Sequence, residues 1–400
     1  MRIVIVGAGM GGLVLAQALR EHADVTVVER DAAPGDTGGY RIAITPAAVA
    51  VLERHLPAAL LQRIRDVSDG SDTFAQFTIA DRRLRPIVVA PEPAGQDRML
   101  CQRRALRTLL ADGLGDRVQY GSTVVSAGSE RDGAWVELDD GSRLEADLVV
   151  AADGTRSPTV RSVTATPTSR DLGLTGIAGS APLRPGTALP RFLLRGPGLA
   201  LDHRGVGLFL SLTSMRLGAV PDALADAVGP PSLVWGVLAR SATLPGALGA
   251  APPALAAASA AAVRDWHPWI ADRIEGSDVD RVAAFPFRAA SPTGPRFPWP
   301  RSRVTALGDA VHAMPPTGGQ AGSTAIRDAG WLADCLLRAP SDVDAAVERY
   351  QARVDEWAAP AIRESLGPVR VLRALEQPGL QALARPALAV AGAIGARVAR

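Results

Sequence analysis

The sequence predicts an α/β protein with a parallel-sheet domain at its N-terminal end, an inserted and mostly antiparallel β-sheet, and helices after it. Three observations predict this. The chain opens on an apolar run, a glycine-rich turn and a second apolar run within thirty residues. Residues 170–285 change texture, becoming Pro- and Gly-rich with strand-like runs. The stretch beyond residue 323 has helical periodicity interrupted by prolines.

Arg2–Val6 reads as a buried strand because a β-branched run ends in glycines. Residues 10–20 read as a helix and Asp24–Glu29 as a second strand, completing a βαβ unit. Helices follow at Pro46–His55 and at residues 103–113, where Leu106, Leu109 and Leu110 share one face. Residues 118–151 alternate apolar and polar between turns at Asp132-Gly133 and Asp140-Gly141, which predicts three or four strands, mostly hairpins. In the inserted region RFLLR, GVGLFLSLTS and SLVWGVLARS read as strands, and the Ala/Pro/Gly-rich residues 245–262 as a loop leading to a helix near Trp266. The cluster Trp266-His267-Pro268-Trp269 reads as the anchor of that helix. Residues 303–307 form one more buried strand, followed by a Gly/Pro loop, a helix over 323–337, and helices broken at Pro360, Pro368, Pro378 and Pro386.

Composition narrows the function. A net charge of +2 implies no polyanionic partner, so no nucleic acid is expected. All 43 basic residues are arginine, and asparagine is also absent; a GC-rich genome accounts for both. Cys101 and Cys335 lie far apart without CxxC, CxxxxC or zinc-like spacing, which argues against a disulfide redox centre or a metal and fits the cytoplasm. The apolar N-terminus is cut by glycines after six residues, and residues 387–396 are too short to span a bilayer, so no membrane association is expected.

Three motifs carry chemistry. Gly7-x-Gly9-x-x-Gly12, with Gly11 beside it, follows a strand and opens a helix. The first glycine permits the tight turn, the second lets the backbone approach a pyrophosphate, and the third allows close helix–strand packing. The helix then aims its N–H groups at the phosphates, and Glu29, ending the second strand, is placed to accept from a ribose. This marks a Rossmann-like dinucleotide site without separating NAD from FAD. Asp153-Gly154 follows a second apolar strand. Gly308-Asp309 follows a third and leads through Pro315, Pro316, Gly318, Gly319, Ala321 and Gly322 into a helix. Glycines there let a flat ring lie against the backbone, and the helix start favours an anion such as a reduced flavin. His312 reads as a support of this loop rather than a base.

In this order and spacing the three motifs resemble those of the FAD-dependent aromatic hydroxylases, the class A flavoprotein monooxygenases of para-hydroxybenzoate hydroxylase, tetracycline-inactivating and polyketide-tailoring type. The resemblance covers about residues 1–160 and 300–340. It implies a glutathione-reductase-type fold and non-covalent FAD. It places Glu29 on the ribose with Arg30 near the adenine, Arg103 in contact with FAD, Asp153 near the pyrophosphate or acting through an arginine, Asp309 on a ribityl or pyrophosphate-linked oxygen, and Gly318, Gly319, Ala321 and Gly322 along the flavin. Arg41, in Gly38-Gly39-Tyr40-Arg41, is carried over as a contact to flavin, nicotinamide or an anionic substrate group. His203, Phe209, Trp235 and Pro315 are further pocket candidates, and no catalytic base is named. Two departures stand out: DGTRSPTVR is one residue longer around Arg161, and GGQAGST puts Ser323 or Thr324 where the family has an amide.

The activity so implied is hydroxylation of an aromatic or polycyclic, secondary-metabolite-like substrate by O2 through a flavin C4a-hydroperoxide. NAD(P)H would be a transient co-substrate, since no second nucleotide fingerprint is present. A Baeyer–Villiger oxygenase on the same fold and a flavin oxidase or dehydrogenase remain alternatives. Halogenases need a lysine and disulfide reductases a CxxxxC, and the chain has neither. The expected division is an FAD-binding domain over 1–75, 96–168 and 280–338, a substrate-binding sheet over 76–95 and 169–279, and a helical segment over 339–400, in a monomer or weak homodimer.

Overall fold

The computed structural model describes residues 1–39, 41–92, 96–214, 220–293 and 302–375. Tyr40, the prolines at 378 and 386 and the rest of the expected C-terminal segment past 375 lie outside the described residues.

Five parallel strands form the first sheet, in the order Val304–Ala306, Leu148–Ala151, Arg2–Val6, Asp24–Glu29 and Val118–Tyr120. Near-continuous apolar runs suit strands covered on both faces. On one face the helix Met10–Leu19 is buried along its whole length, packed against the helices Arg103–Ala111 and Ala321–Arg338. On the other, the antiparallel strands Val124–Ser129, Ala134–Leu138 and Arg143–Ala146 press Ala127, Val136 and Leu138 onto Val4, Val6 and Val149. A βαβ core with a crossover meander is the expected Rossmann-like architecture.

A seven-stranded sheet stands beside it, ordered Ala283–Ala289, Arg170–Pro182, Ser232–Arg240, Gly207–Thr213, Gly198–Leu201, Gln76–Asp81 and Pro86–Pro91. Every pairing is antiparallel except Gly198–Leu201 with Gln76–Asp81. The strand Ala283–Ala289, past the expected border at 279, belongs to this sheet. A small sheet of Arg41–Ile44, Met99–Gln102 and Ser68–Asp69 lies at the junction, joined to the seven-stranded sheet by the Ser214 N–H donating to Asp69 Oδ2 (2.9 Å).

Three local expectations are corrected. RFLLR is a short 3-10 helix over Arg191–Leu194, in which the adjacent Phe192 and Leu193 are both buried, something an alternating strand does not do. Part of the expected loop at 245–262 is the helix Pro252–Ala262: Pro at its first turn and alanine throughout favour a helix, and Leu255 and Ser259, four apart, face inward. Pro360 and Pro368 lie inside one helix, Asp355–Leu375, instead of ending it. Each removes one backbone hydrogen bond, but Ala361, Ile362, Leu366, Val369 and Leu372 pack against the seven-stranded sheet and hold the helix together.

Candidate active site

The glycine turn is built by close approach. Gly7 has φ +104°, and a Cβ there would lie 2.5 Å from the Ala152 carbonyl oxygen. A Cβ on Gly12 would meet the Gly7 oxygen at 2.1 Å, and one on Gly11 the Leu307 Cδ1 at 2.6 Å. Gly9 differs: its Cβ would find nothing nearer than the Ala152 oxygen at 4.0 Å. The turn is closed on the protein side and open at Gly9. Gly9 is the N-cap of the Met10–Leu19 helix and supplies no side-chain acceptor, so the first N–H groups keep their capacity for an anion.

Glu29 is 7% exposed and already bound. Its Oε2 accepts from the Ala8 N–H (2.7 Å) and pairs with Arg107 Nη2 (2.9 Å), and its Oε1 accepts from the Asp31 N–H (2.9 Å). A carboxylate has about four acceptor positions, so one remains for a ribose hydroxyl. Arg107 was not foreseen. Fully buried, it also donates through Nε to the Ala8 oxygen (2.7 Å) and through Nη1 to Asp31 Oδ2 (2.6 Å), tying the turn to the end of the second strand. Its only sequence signal is its place four residues after Arg103, among the apolar positions of the same helix. Arg30 points outward, 78% exposed.

Asp153 and Asp309 follow the ends of two adjacent parallel strands, Leu148–Ala151 and Val304–Ala306. Asp153 Oδ2 accepts from the Thr159 hydroxyl (2.8 Å), and its Oδ1 is buried without a partner. Asp309 Oδ1 is likewise buried and unpaired. Burial pushes both carboxyls above their ordinary range; Ser157 and Thr159 oppose this at Asp153, and His312 and Arg103 at Asp309. An unpaired buried acceptor costs about 1–3 kcal/mol, so two at the mouth of a dinucleotide fold are the positions where hydroxyl donors are missing. Arg103, solvent-exposed, lies within electrostatic reach of Asp309; partial desolvation lowers its pKa, and the charge of Asp309 favours its protonated form against that. Arg161 instead turns back to the Arg156 carbonyl.

The loop after Asp309 is shaped by its glycines. A Cβ on Gly318 would strike Ser365 Oγ at 2.5 Å, one on Gly322 would strike Ile42 Cδ1 at 2.4 Å, and Gly319 is left-handed with open space beside it. The helix Ala321–Arg338 starts here with no side-chain cap. Ser323 and Thr324 both serve the protein: Ser323 Oγ donates to the Ala43 oxygen (3.0 Å), and Thr324 Oγ1 to the Gln320 oxygen (2.8 Å). Pro315 is buried in the loop, ahead of the 3-10 turn Pro316–Gly318. His312 is fully buried, with Nε2 2.5 Å from Asp328 Oδ2, in keeping with a loop support.

Of the pocket candidates, Phe209 is on the site face: it is half-buried with Phe77, Ile79 and Phe285 on the apolar cluster that includes Met314 and Ile362, with Ala321 packed against it. The rings of Phe285 and Phe287 stack with centroids 5.8 Å apart. Trp235 is corrected. It sits on the opposite face, fully buried beneath the helices Pro252–Ala262 and Pro268–Glu275, with Nε1 donating to Ser277 Oγ (2.7 Å). Register explains the difference: Phe209 pairs with Gly236, and Trp235 with Leu210, so the two aromatics project oppositely. His203 is corrected in part. It lies in the hairpin turn between Gly198–Leu201 and Gly207–Thr213, a turn organised by Asp202, rather than on a strand. Arg41 lies at the junction of the small and seven-stranded sheets. Its Nη1 donates to the Leu212 oxygen (3.2 Å), its Nη2 is unpaired, and burial pulls its pKa down to about 10. His267 caps the helix Pro268–Glu275, accepting from the Trp269 N–H (3.2 Å), as an anchor does.

Among the described residues no helix is long and apolar enough to cross a membrane.

The model of a family described as an FAD binding domain matches residues 1–189 and 262–365. The dual O-methyltransferase/FAD-dependent monooxygenase elcB of Phaeosphaeria nodorum is 27% identical over 379 residues, covering 82% of this chain and 39% of that protein. The FAD-dependent monooxygenase adaC of Aspergillus niger is 28% identical over 386 residues, covering 91% of each. A protein of Photorhabdus luminescens, assigned as an FAD-containing monooxygenase, superposes with a TM-score of 0.75 at 26% identity, covering 94% of this chain and 98% of that one. The chain spans about half the length, or less, of several curated relatives it matches. The open side at Gly9 and the unpaired carboxylate oxygens of Asp153 and Asp309 fit the pyrophosphate and hydroxyl groups of such a cofactor. The chain belongs to the FAD-binding domain family, its relatives are FAD-dependent monooxygenases, and FAD is its cofactor.

Proposed function

We propose that this protein is an NAD(P)H- and O2-dependent monooxygenase that hydroxylates a flat aromatic or polycyclic molecule. The observation that carries this reading is the half-buried wall of Phe77, Ile79, Phe209 and Phe285, which converges with Met314 and Ala321 on the loop that runs from Asp309 to Gly322. Bound FAD, reduced by a nicotinamide, supplies the activation of O2.

The chain's own residues do the rest. Asp309 and Asp153 accept hydrogen bonds from cofactor hydroxyls, Arg103 balances charge in the cleft, and Glu29, fixed by Arg107, takes a ribose hydroxyl. The uncapped start of Ala321–Arg338 favours negative charge beside it. The aromatic wall offers ring faces and edges to a planar substrate and keeps water from the reacting position. Arg41, with an unpaired Nη2 at the edge of the wall's sheet, is the candidate for a polar substituent or a nicotinamide. The same reading assigns residues 1–75, 96–168 and most of 280–338 to cofactor binding, and the seven-stranded sheet to the substrate.

The test is a panel of phenols and polycyclic aromatics offered to FAD-loaded protein with NADH or NADPH. The reading expects at least one compound to stimulate nicotinamide oxidation and to gain 16 mass units. Substrates that bleach the flavin without any nicotinamide would replace it with an oxidase or dehydrogenase.

A further inference from the structure

Beneath the cofactor cleft lies a buried cluster that the proposed function does not use. Asp328, on the helix Ala321–Arg338, is fully buried and accepts from two other elements, the short helix Asp309–His312 with its N-cap Gly308 and the helix Asp355–Leu375. The Gly308 N–H reaches its Oδ2 at 2.8 Å, His312 Nε2 lies 2.5 Å from the same oxygen, and Trp357 Nε1 reaches its Oδ1 at 2.7 Å. Gly308 and His312 flank Asp309, whose Oδ1 is buried and unpaired and which the proposed function places on the cofactor. Trp357 belongs to Asp355–Leu375, the helix whose Ile362 and Leu366 back the apolar pocket cluster.

We propose that Asp328 is a positioning residue that sets the cofactor-holding geometry of Asp309 through His312 and Gly308, and fastens the pocket-wall helix to that geometry through Trp357. A carboxylate that takes three donors from two elements ties those elements to one another. Asp309 is therefore aimed by a group that does not itself touch the cofactor. Charge makes the link sensitive to pH. His312 is flanked by two carboxylates, Asp309 on its own short helix and Asp328 on the helix beneath. Burial alone would disfavour its charge, but Asp328, by charge and hydrogen bond, and then Asp309 overcome this and raise its pKa above the ordinary 6.5. Around them stand Arg103, whose charge acts on Asp309, Arg327, whose charge responds to Asp328 and which lies 5.1 Å over the Trp357 ring, and Tyr350, whose hydroxyl donates to the Ala306 oxygen (2.9 Å). A pKa raised by folding means the imidazolium is in place below that pKa and lost as pH rises through it. Above it, Asp309 and Asp328 face each other without the cation between them, and the grip on the cofactor loosens.

The inference concerns FAD binding and holds whether or not the monooxygenase reading does. The test is FAD affinity from quenching of flavin fluorescence, measured from pH 6 to 10 on the refolded or cofactor-stripped full chain. Wild type is expected to lose affinity in one step above pH 6.5. Asp328→Asn, which keeps shape but removes the anion, should move that step down by about one pH unit or more, and His312→Gln should abolish it. Trp357→Phe keeps an aromatic side chain and removes the N–H; it should weaken FAD by about tenfold while leaving the step in place. A role in folding alone would lower the melting temperature of the variants and leave the step where it was. An unmoved step in Asp328→Asn, or unchanged FAD affinity in folded Trp357→Phe, overturns the proposal.

Discussion

Single atoms decide the cofactor site. At Gly9 the feature is open space, which the proposed function gives to the cofactor's pyrophosphate. Gly9→Val is expected to abolish FAD retention while the chain still folds, because nothing of the protein lies within 4 Å except the Ala152 oxygen at that distance. At Asp309 the feature is an unpaired oxygen, which the proposed function gives to a cofactor hydroxyl. Removing a hydrogen bond to a charged group costs about 1.5–3 kcal/mol, so Asp309→Ala should weaken FAD by roughly tenfold to a hundredfold, measured by titration of the stripped protein. Unchanged affinity would move the ribityl contact elsewhere. These positions were legible because their logic is local: a glycine fingerprint and an aspartate after a strand can be read from a dozen neighbouring residues. Arg107 was not legible, because its partners Ala8, Glu29 and Asp31 lie 76 to 99 residues away in sequence and only the fold brings them together. The hub at Asp328 was hidden for the same reason, its third donor arriving from Trp357.

At the scale of elements, the strands of the seven-stranded sheet carry two apolar faces, and that erased the signal for direction. Alternation predicts which side faces a core only when the other side is polar. Both sides of Ser232–Arg240 and Gly207–Thr213 are apolar, so the sequence did not separate Phe209, toward the site, from Trp235, beneath two helices. The consequence is a contrast between two truncations. Trp235→Ala should cost about 3–5 kcal/mol of stability, read from urea unfolding, with nicotinamide turnover per folded molecule little changed. Phe209→Ala, at a half-buried position, should cost far less stability and raise the concentration of aromatic compound needed for stimulation. The reverse pattern would put the site on the wrong face of the sheet. The helix Asp355–Leu375 teaches a related lesson. Local rules end a helix at proline, yet burial of five apolar side chains between Ala361 and Leu372 outweighs two lost hydrogen bonds.

The whole molecule joins a shared half to an individual one. The family match covers the parallel sheet, the meander and the first half of the helix Asp355–Leu375 but skips residues 190–261, where the strands Gly198–Leu201, Gly207–Thr213 and Ser232–Arg240 build the middle of the pocket sheet. The cofactor could therefore be read from motifs, while the substrate is written in packing that has no motif. On the proposed function, this packing brings an aromatic ring to a flavin that delivers oxygen. The most direct measurement is turnover of a stimulating aromatic compound with NAD(P)H under oxygen-18 gas, followed by mass analysis of the product. The account predicts one oxygen-18 atom per product molecule, drawn from O2 and not from water. Product without the label, or nicotinamide oxidation that yields only hydrogen peroxide with every aromatic compound offered, would contradict it.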